Sequence, residues 1–120
     1  MRNVRRHRIA VLLVTWCLSA VFFIDLCALV FDCGCLSLWN GAASFCNIHA
    51  VDGPHCPWCA HPAIGGGLAF FATMAVQLGL VLAPIPVGWA MRLLLALVAF
   101  PFVSGIVGWA QGLALGYWTH

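Results

Sequence analysis

Between Cys33 and His61 the chain carries five cysteines and three histidines, residue types that ligate metals, form disulfides or exchange thiols. They fall in three runs: Asp32-Cys33-Gly34-Cys35, Cys46-Asn47-Ile48-His49 and Gly53-Pro54-His55-Cys56-Pro57-Trp58-Cys59-Ala60-His61. A stretch this short buries no useful core, so a covalent or metallic link must order it. One chemistry that fits is a metal site. Cys46 with His49 and Cys56 with Cys59 are two pairs of matching spacing, with a turn at Gly53-Pro54 between them. Four nitrogen and sulfur ligands in two pairs close a tetrahedral site of the kind zinc prefers. Thiolate with imidazole also suits Cu(I), so the expected metal is zinc or copper. Cys33, Cys35, His55 and His61 remain for a second ligand set.

Two other chemistries use the same residues. Outside the cytoplasm thiols tend to pair, and the loop together with Cys27 supplies six, leaving Cys17 as a small apolar residue. The connectivity of such a framework is not readable from sequence. Alternatively, Cys56-Pro57-Trp58-Cys59 has the form that lowers a thiol's pKa in thiol–disulfide oxidoreductases. Cys56 and Cys59 would then be catalytic and would pass electrons to Cys33 and Cys35. Haem is not expected: covalent attachment needs His directly after the second Cys, and Ala60 intervenes before His61.

The spacing Cys46-x2-His49-x3-Gly53-x2-Cys56-Pro57-x-Cys59 resembles the signature of an uncharacterised family of small bacterial membrane proteins. In that family a loop of the form Cys-Pro-x-His-x3-Gly-x2-Cys-Pro-Gly-Cys-Gly-x-Thr-Arg lies between apolar helices. Asn47, Trp58 and residues 60–63 depart from the pattern, and Cys33 and Cys35 lie outside it. The resemblance implies a membrane protein with a paired Cys/His loop and brings no activity with it.

The elements that position the loop are read from hydropathy. Of 120 residues 64% are hydrophobic and 7% charged, with a mean hydropathy of +1.04 and neither Lys nor Glu. A water-soluble domain carries roughly 25% charged residues, so lipid must be the main solvent. About 20 apolar residues cross the ~30 Å hydrocarbon layer as a helix. Three runs qualify, at residues 9–31, 64–82 and 93–117, in one all-α membrane domain, with the Cys/His loop at 32–62. Ala83-Pro84-Ile85-Pro86-Val87-Gly88 is a tight turn that sets the last two helices side by side. The first run follows an Arg-rich start, as in a signal peptide, but is long enough to span and is read as retained.

Arg2, Arg5, Arg6 and Arg8 precede the first run, Arg92 follows the Pro-rich turn, and the loop has no Arg or Lys. Positive residues stay in the cytoplasm. The loop and the stretch Tyr117 to His120 are therefore expected outside, across the cell's inner (plasma) membrane. The basic tail marks topology and is no distributed nucleic-acid-binding face. Ser104, Gly108, Gly112 and Gly116 form a small-residue face on the third helix, where another backbone or subunit could pack closely. Asp25 and Gln111 lie at similar depth and are expected to share a hydrogen bond.

No paired carboxylates, Ser/His/Asp arrangement or phosphate-cradling loop is present, and no Lys or Thr follows Gly65-Gly66-Gly67 to bind phosphate. The expected function is therefore non-enzymatic: a small accessory or assembly subunit with a metal-binding or disulfide-ordered loop, docked on a larger membrane complex. The alternative is a membrane thiol–disulfide oxidoreductase using Cys56 and Cys59.

Overall fold

The computed structural model describes residues 1–119; the expectation that His120 lies outside the membrane therefore falls beyond the described residues. The described residues are helical or in turns and loops, without strands. Helix α1 spans Arg2–Phe31, a four-residue α2 spans Pro57–Ala60, α3 spans Leu68–Leu82 and α4 spans Trp89–Ala114. A wider turn of helix, Pro62–Gly67, leads straight into α3, giving one rod from Pro62 to Leu82. Three rods, Arg2–Phe31, Pro62–Leu82 and Trp89–Ala114, are long and apolar enough to cross a membrane. The first begins well before residue 9, because the Arg-rich start continues the helix. The third runs from 89 to 114 rather than from 93 to 117: Gly116, at φ +67°, ends the regular helix ahead of a short turn at Tyr117–Thr119.

Helix α4 packs along both α3 and α1, and α3 also touches α1. Most large apolar side chains face outward, including Leu13, Phe71, Val98, Phe102 and Ile106. The interior between helices is instead small and polar. Gln77 donates from Nε2 to Ser19 Oγ at 2.9 Å and to the Ala96 carbonyl at 3.0 Å, joining all three long helices. Thr73 and Ser104 share a hydroxyl–hydroxyl hydrogen bond. Such interhelical bonds are worth about 0.6 kcal/mol each in membranes. They set register more than they supply stability.

Arg92 does more than mark topology. It is buried, and its guanidinium donates to the carbonyls of Leu80, Val81, Ala83 and Ile85 at 2.8–3.0 Å. The last carbonyls of α3 have no partners within their own helix, and a cation there also meets the negative end of the helix dipole. Arg8 reaches the Leu82 carbonyl at 3.3 Å, which puts the N-terminal arginines and the 83–88 turn at one end of the bundle. The cysteine loop lies at the other.

The small-residue face is used within the chain. Ser104, Gly108 and Gly112 are buried. A Cβ on Gly108 would meet Trp58 Cζ2 at 2.8 Å, and one on Gly112 would meet the Trp118 ring. The side chains that fill this face are the chain's own. Asp25 and Gln111 do not pair. Asp25 accepts from Ser37 Oγ, while Gln111 accepts from Trp58 Nε1 at 2.8 Å and donates to the Ile64 and Gly65 carbonyls. Equal depth did not make them neighbours, because loop residues reached each of them first.

Replacing Arg92 with Ala should strip four carbonyls of their donor. A hydrogen bond to a charged group is worth about 1.5–3 kcal/mol, so the expected loss is at least that of one such bond. Unfolding in mixed micelles measures it, and Arg92→Lys should recover only part, since an ammonium lacks the planar fork.

Candidate metal centre

The centre is assembled from four separate stretches of chain. Cys27 lies one turn before the end of α1, about 6 Å along the axis from Phe31 at 1.5 Å per residue. Asp32 ends the helix in the left-handed region, at φ 48°, with its N–H on the Ala28 carbonyl. That reversal folds the chain back, so the Cys33 sulfur comes to 3.7 Å from the sulfur of Cys27. Gly34 then takes φ +83°, and a Cβ there would meet the Phe45 carbonyl oxygen at 2.7 Å. Only glycine suits that position. It lets Cys33 and Cys35, two apart, turn their sulfurs inward to 3.2 Å from each other.

Cys46 ends one single-turn helix, Ala42–Phe45, and caps another, Asn47–His49. The fourth stretch is the Cys-Pro-Trp-Cys turn. Pro57 opens α2, a position where its missing N–H is harmless, and the Ala60 N–H bonds to the Cys56 carbonyl at 2.8 Å. One helical turn therefore places Cys56 and Cys59 on the same side. Cys56 reaches Cys27 at 3.3 Å and Cys59 reaches Cys35 at 3.7 Å, sulfur to sulfur.

Six sulfurs converge in this way. Four triads, Cys27-Cys33-Cys56, Cys27-Cys35-Cys59, Cys33-Cys35-Cys46 and Cys46-Cys56-Cys59, each have all their sulfurs within 4.8 Å of one another. All but Cys59 are buried, and Cys59 is partly so. None is bonded to another; the closest separations, 3.2–3.7 Å, far exceed the S–S bond of about 2.05 Å. This cysteine cluster could hold a metal ion.

Protons are unevenly shared in it. Donation from Cys27 and then Cys56 holds Cys59 down to about 4. The contact with Cys27, followed by that with Cys33, lowers Cys56. Burial, followed by the contact with Cys33, pushes Cys35 well above the ordinary thiol range. Thiolate character therefore gathers on the Cys-Pro-Trp-Cys turn.

Asn47 ties the stretches together. Its N–H donates to the Cys33 carbonyl at 2.8 Å and its Oδ1 accepts from the Cys56 N–H at 2.7 Å. Its Nδ2 donates to Tyr117 Oη at 2.7 Å, and that hydroxyl donates to the Phe31 carbonyl at 2.7 Å. Trp58 fastens the turn to the bundle. Its ring stacks on Phe23 at 4.6 Å between centroids and 6° between planes, and it meets Phe31 edge-on at 5.3 Å.

Of the ligands expected from spacing, the structure brings together Cys46, Cys56 and Cys59 but leaves His49 outside. His49 is exposed, with Nε2 at 3.0 Å from the Ala43 carbonyl, because the Asn47–His49 turn carries its ring away from the sulfurs. Of the second set, Cys33 and Cys35 join the same cluster. His55 is exposed with Nε2 at 3.1 Å from the Ala50 carbonyl, and His61 is exposed too. The expected four-ligand set with a second beside it is thus a single all-sulfur cluster. Sequence reasoning treated Cys27 only as a disulfide partner and missed Asn47 and Tyr117 altogether. Cys27 carries one legible signal, its place one turn before the helix end.

Removing the Asn47 side chain would leave the Cys56 N–H without its acceptor beside the sulfurs. Partners of ligands typically contribute 10–100-fold to metal affinity, so Asn47→Ala should weaken binding by about that factor. Chelator competition against the unaltered protein measures it, with Tyr117→Phe expected to fall between the two. The chain matches no protein-family model, no curated protein and no solved structure.

Proposed function

We propose that this is a small integral membrane protein that holds zinc or copper in a thiolate cage on the extracytoplasmic face, as an accessory component of metal handling and not as an enzyme. The observation that carries the reading is the convergence of six sulfurs from four stretches. Disulfide bonding would draw each sulfur toward one partner. Here every sulfur has several at similar range, as ligands around shared ions do. Soft thiolates select zinc, Cu(I) or iron–sulfur clusters, but thiolates around an iron–sulfur core stand apart on separate irons, and these crowd together.

Orientation follows from charge. Arg8 and Arg92 share one end of the bundle with the 83–88 turn. Retention of positive residues on the cytoplasmic side then puts the cage outside, at the opposite end, in the inner (plasma) membrane. Cys59, the one partly exposed sulfur, is the natural point of metal entry. A larger membrane complex would meet this protein on a surface other than the filled face of Ser104, Gly108 and Gly112.

Thiol–disulfide exchange by Cys56 and Cys59 has one supporting observation, the lowered Cys59 thiol. It leaves the converged Cys27 and Cys46 without a role, and Cys56 is fully buried. The two readings separate by mutation. Purified in mild detergent without chelator, the protein should carry stoichiometric zinc or copper by elemental analysis. His49→Ala should keep the metal, whereas Cys46→Ser and Cys56→Ser should each lose most of it. A metal-free protein whose thiol exchange survives Cys46→Ser would sink metal holding and support exchange.

A further inference from the structure

The four triads do not overlap at random. Each of the six cysteines belongs to two of them. Three pairs share no triad: Cys27 with Cys46, Cys33 with Cys59, and Cys35 with Cys56. Six points, each close to four others and opposite one, have the adjacency of an octahedron. The four triads are alternate faces of it, touching only at corners; the other four faces are bounded by the same edges, but an ion on one of them would crowd an ion on each face beside it.

This adjacency bears on coordination number. A tetrahedral ion needs four sulfurs that are all mutual neighbours. At a metal–thiolate bond of about 2.3 Å, the zinc value, such sulfurs stand about 3.8 Å apart. Among the described residues no such foursome occurs, because a fourth sulfur always brings in an opposite pair. Three-coordinate ions face no such obstacle. With the same bond length of about 2.3 Å, trigonal sulfurs stand about 4 Å apart, inside the 4.8 Å that bounds each triad. Among soft, thiolate-selected ions, Cu(I) is the one for which trigonal coordination is ordinary, because its single charge is satisfied by fewer thiolates than the double charge of zinc.

We infer that the six-cysteine cage binds a cluster of four Cu(I) ions, one on each triad, with every sulfur bridging two ions. The inference rests on the metal-holding reading above and specifies its metal and stoichiometry. Loading is a proton exchange without electron transfer: six thiols and four Cu(I) give a tetracopper hexathiolate of net charge −2, releasing six protons. Burial of five of the sulfurs excludes water from the cluster. Cys17, exposed at the middle of α1, takes no part.

The test is anaerobic titration of the full-length protein in detergent with Cu(I) as its acetonitrile complex, against a Cu(I)-specific chelator. Saturation at four ions per chain is expected, with orange luminescence that appears as the cluster fills. X-ray absorption should show a three-sulfur shell and a copper–copper shell. Cys17→Ser should retain all of this and serve as the folded control, while Cys46→Ser should lower the saturating stoichiometry. Saturation at one or two Cu(I) without a copper–copper shell would overturn the cluster and leave metal holding intact. Tight stoichiometric zinc with no competitive Cu(I) uptake would do the same. Failure to bind either metal would overturn both.

Discussion

The cage depends on a single wedge. A loop this short cannot hold its five sulfurs in place against Cys27 by itself, and Trp58 supplies what it lacks. The indole sits between α1 and α4, stacked on Phe23 and edge-on to Phe31, with Gly108 and Gly66 clearing the space for it. Its N–H reaches Gln111, which also caps the start of the second rod through the Ile64 and Gly65 carbonyls. Aromatic burial and a satisfied indole donor thus fix the residue between Pro57 and Cys59. With that residue fixed, the flanking Cys56 and Cys59 have little freedom in where their sulfurs go.

The remaining contacts elaborate the same logic. The left-handed residue at Asp32 and the positive φ at Gly34 bend the chain back over the end of α1. Asn47 then bonds to two other stretches of the loop, at Cys33 and Cys56, and to Tyr117 beyond α4. At the far end Arg92 closes α3 against α4, so the bundle is tied at both ends by polar side chains and only lightly between. Outward-facing leucines, valines and phenylalanines leave the association of helices to small residues and these few bonds.

Much of the fold was legible. Long apolar runs can be satisfied in lipid only as helices, and prolines at 84 and 86 could only turn the chain. The cysteines were legible as a group, and their convergence followed from the absence of any other means to order the loop. His49 stands apart from the sulfurs, although spacing alone suggested that it pairs with Cys46. A single turn of helix at Asn47–His49 decides the direction of that ring, and hydropathy carries no information about it. Cys27 was counted only as a disulfide partner, because it lies inside α1 and outside the spacing of the loop's ligand pairs. Asp25 and Gln111 show the limit of depth as a guide, because partners arriving from the loop are invisible to it.

The bond from Tyr117 to the Phe31 carbonyl spans 86 residues. Tyr117 also takes the Asn47 amide, so the loop's central brace is anchored to the last turn beyond α4. Helices enter a membrane in the order in which they are made, and the loop leaves the ribosome well before α4 does. Until α4 is seated, neither Gln111 nor Tyr117 is there to receive Trp58 and Asn47. The arrangement of the six thiols thus depends on contacts that only the last stretch of the chain supplies.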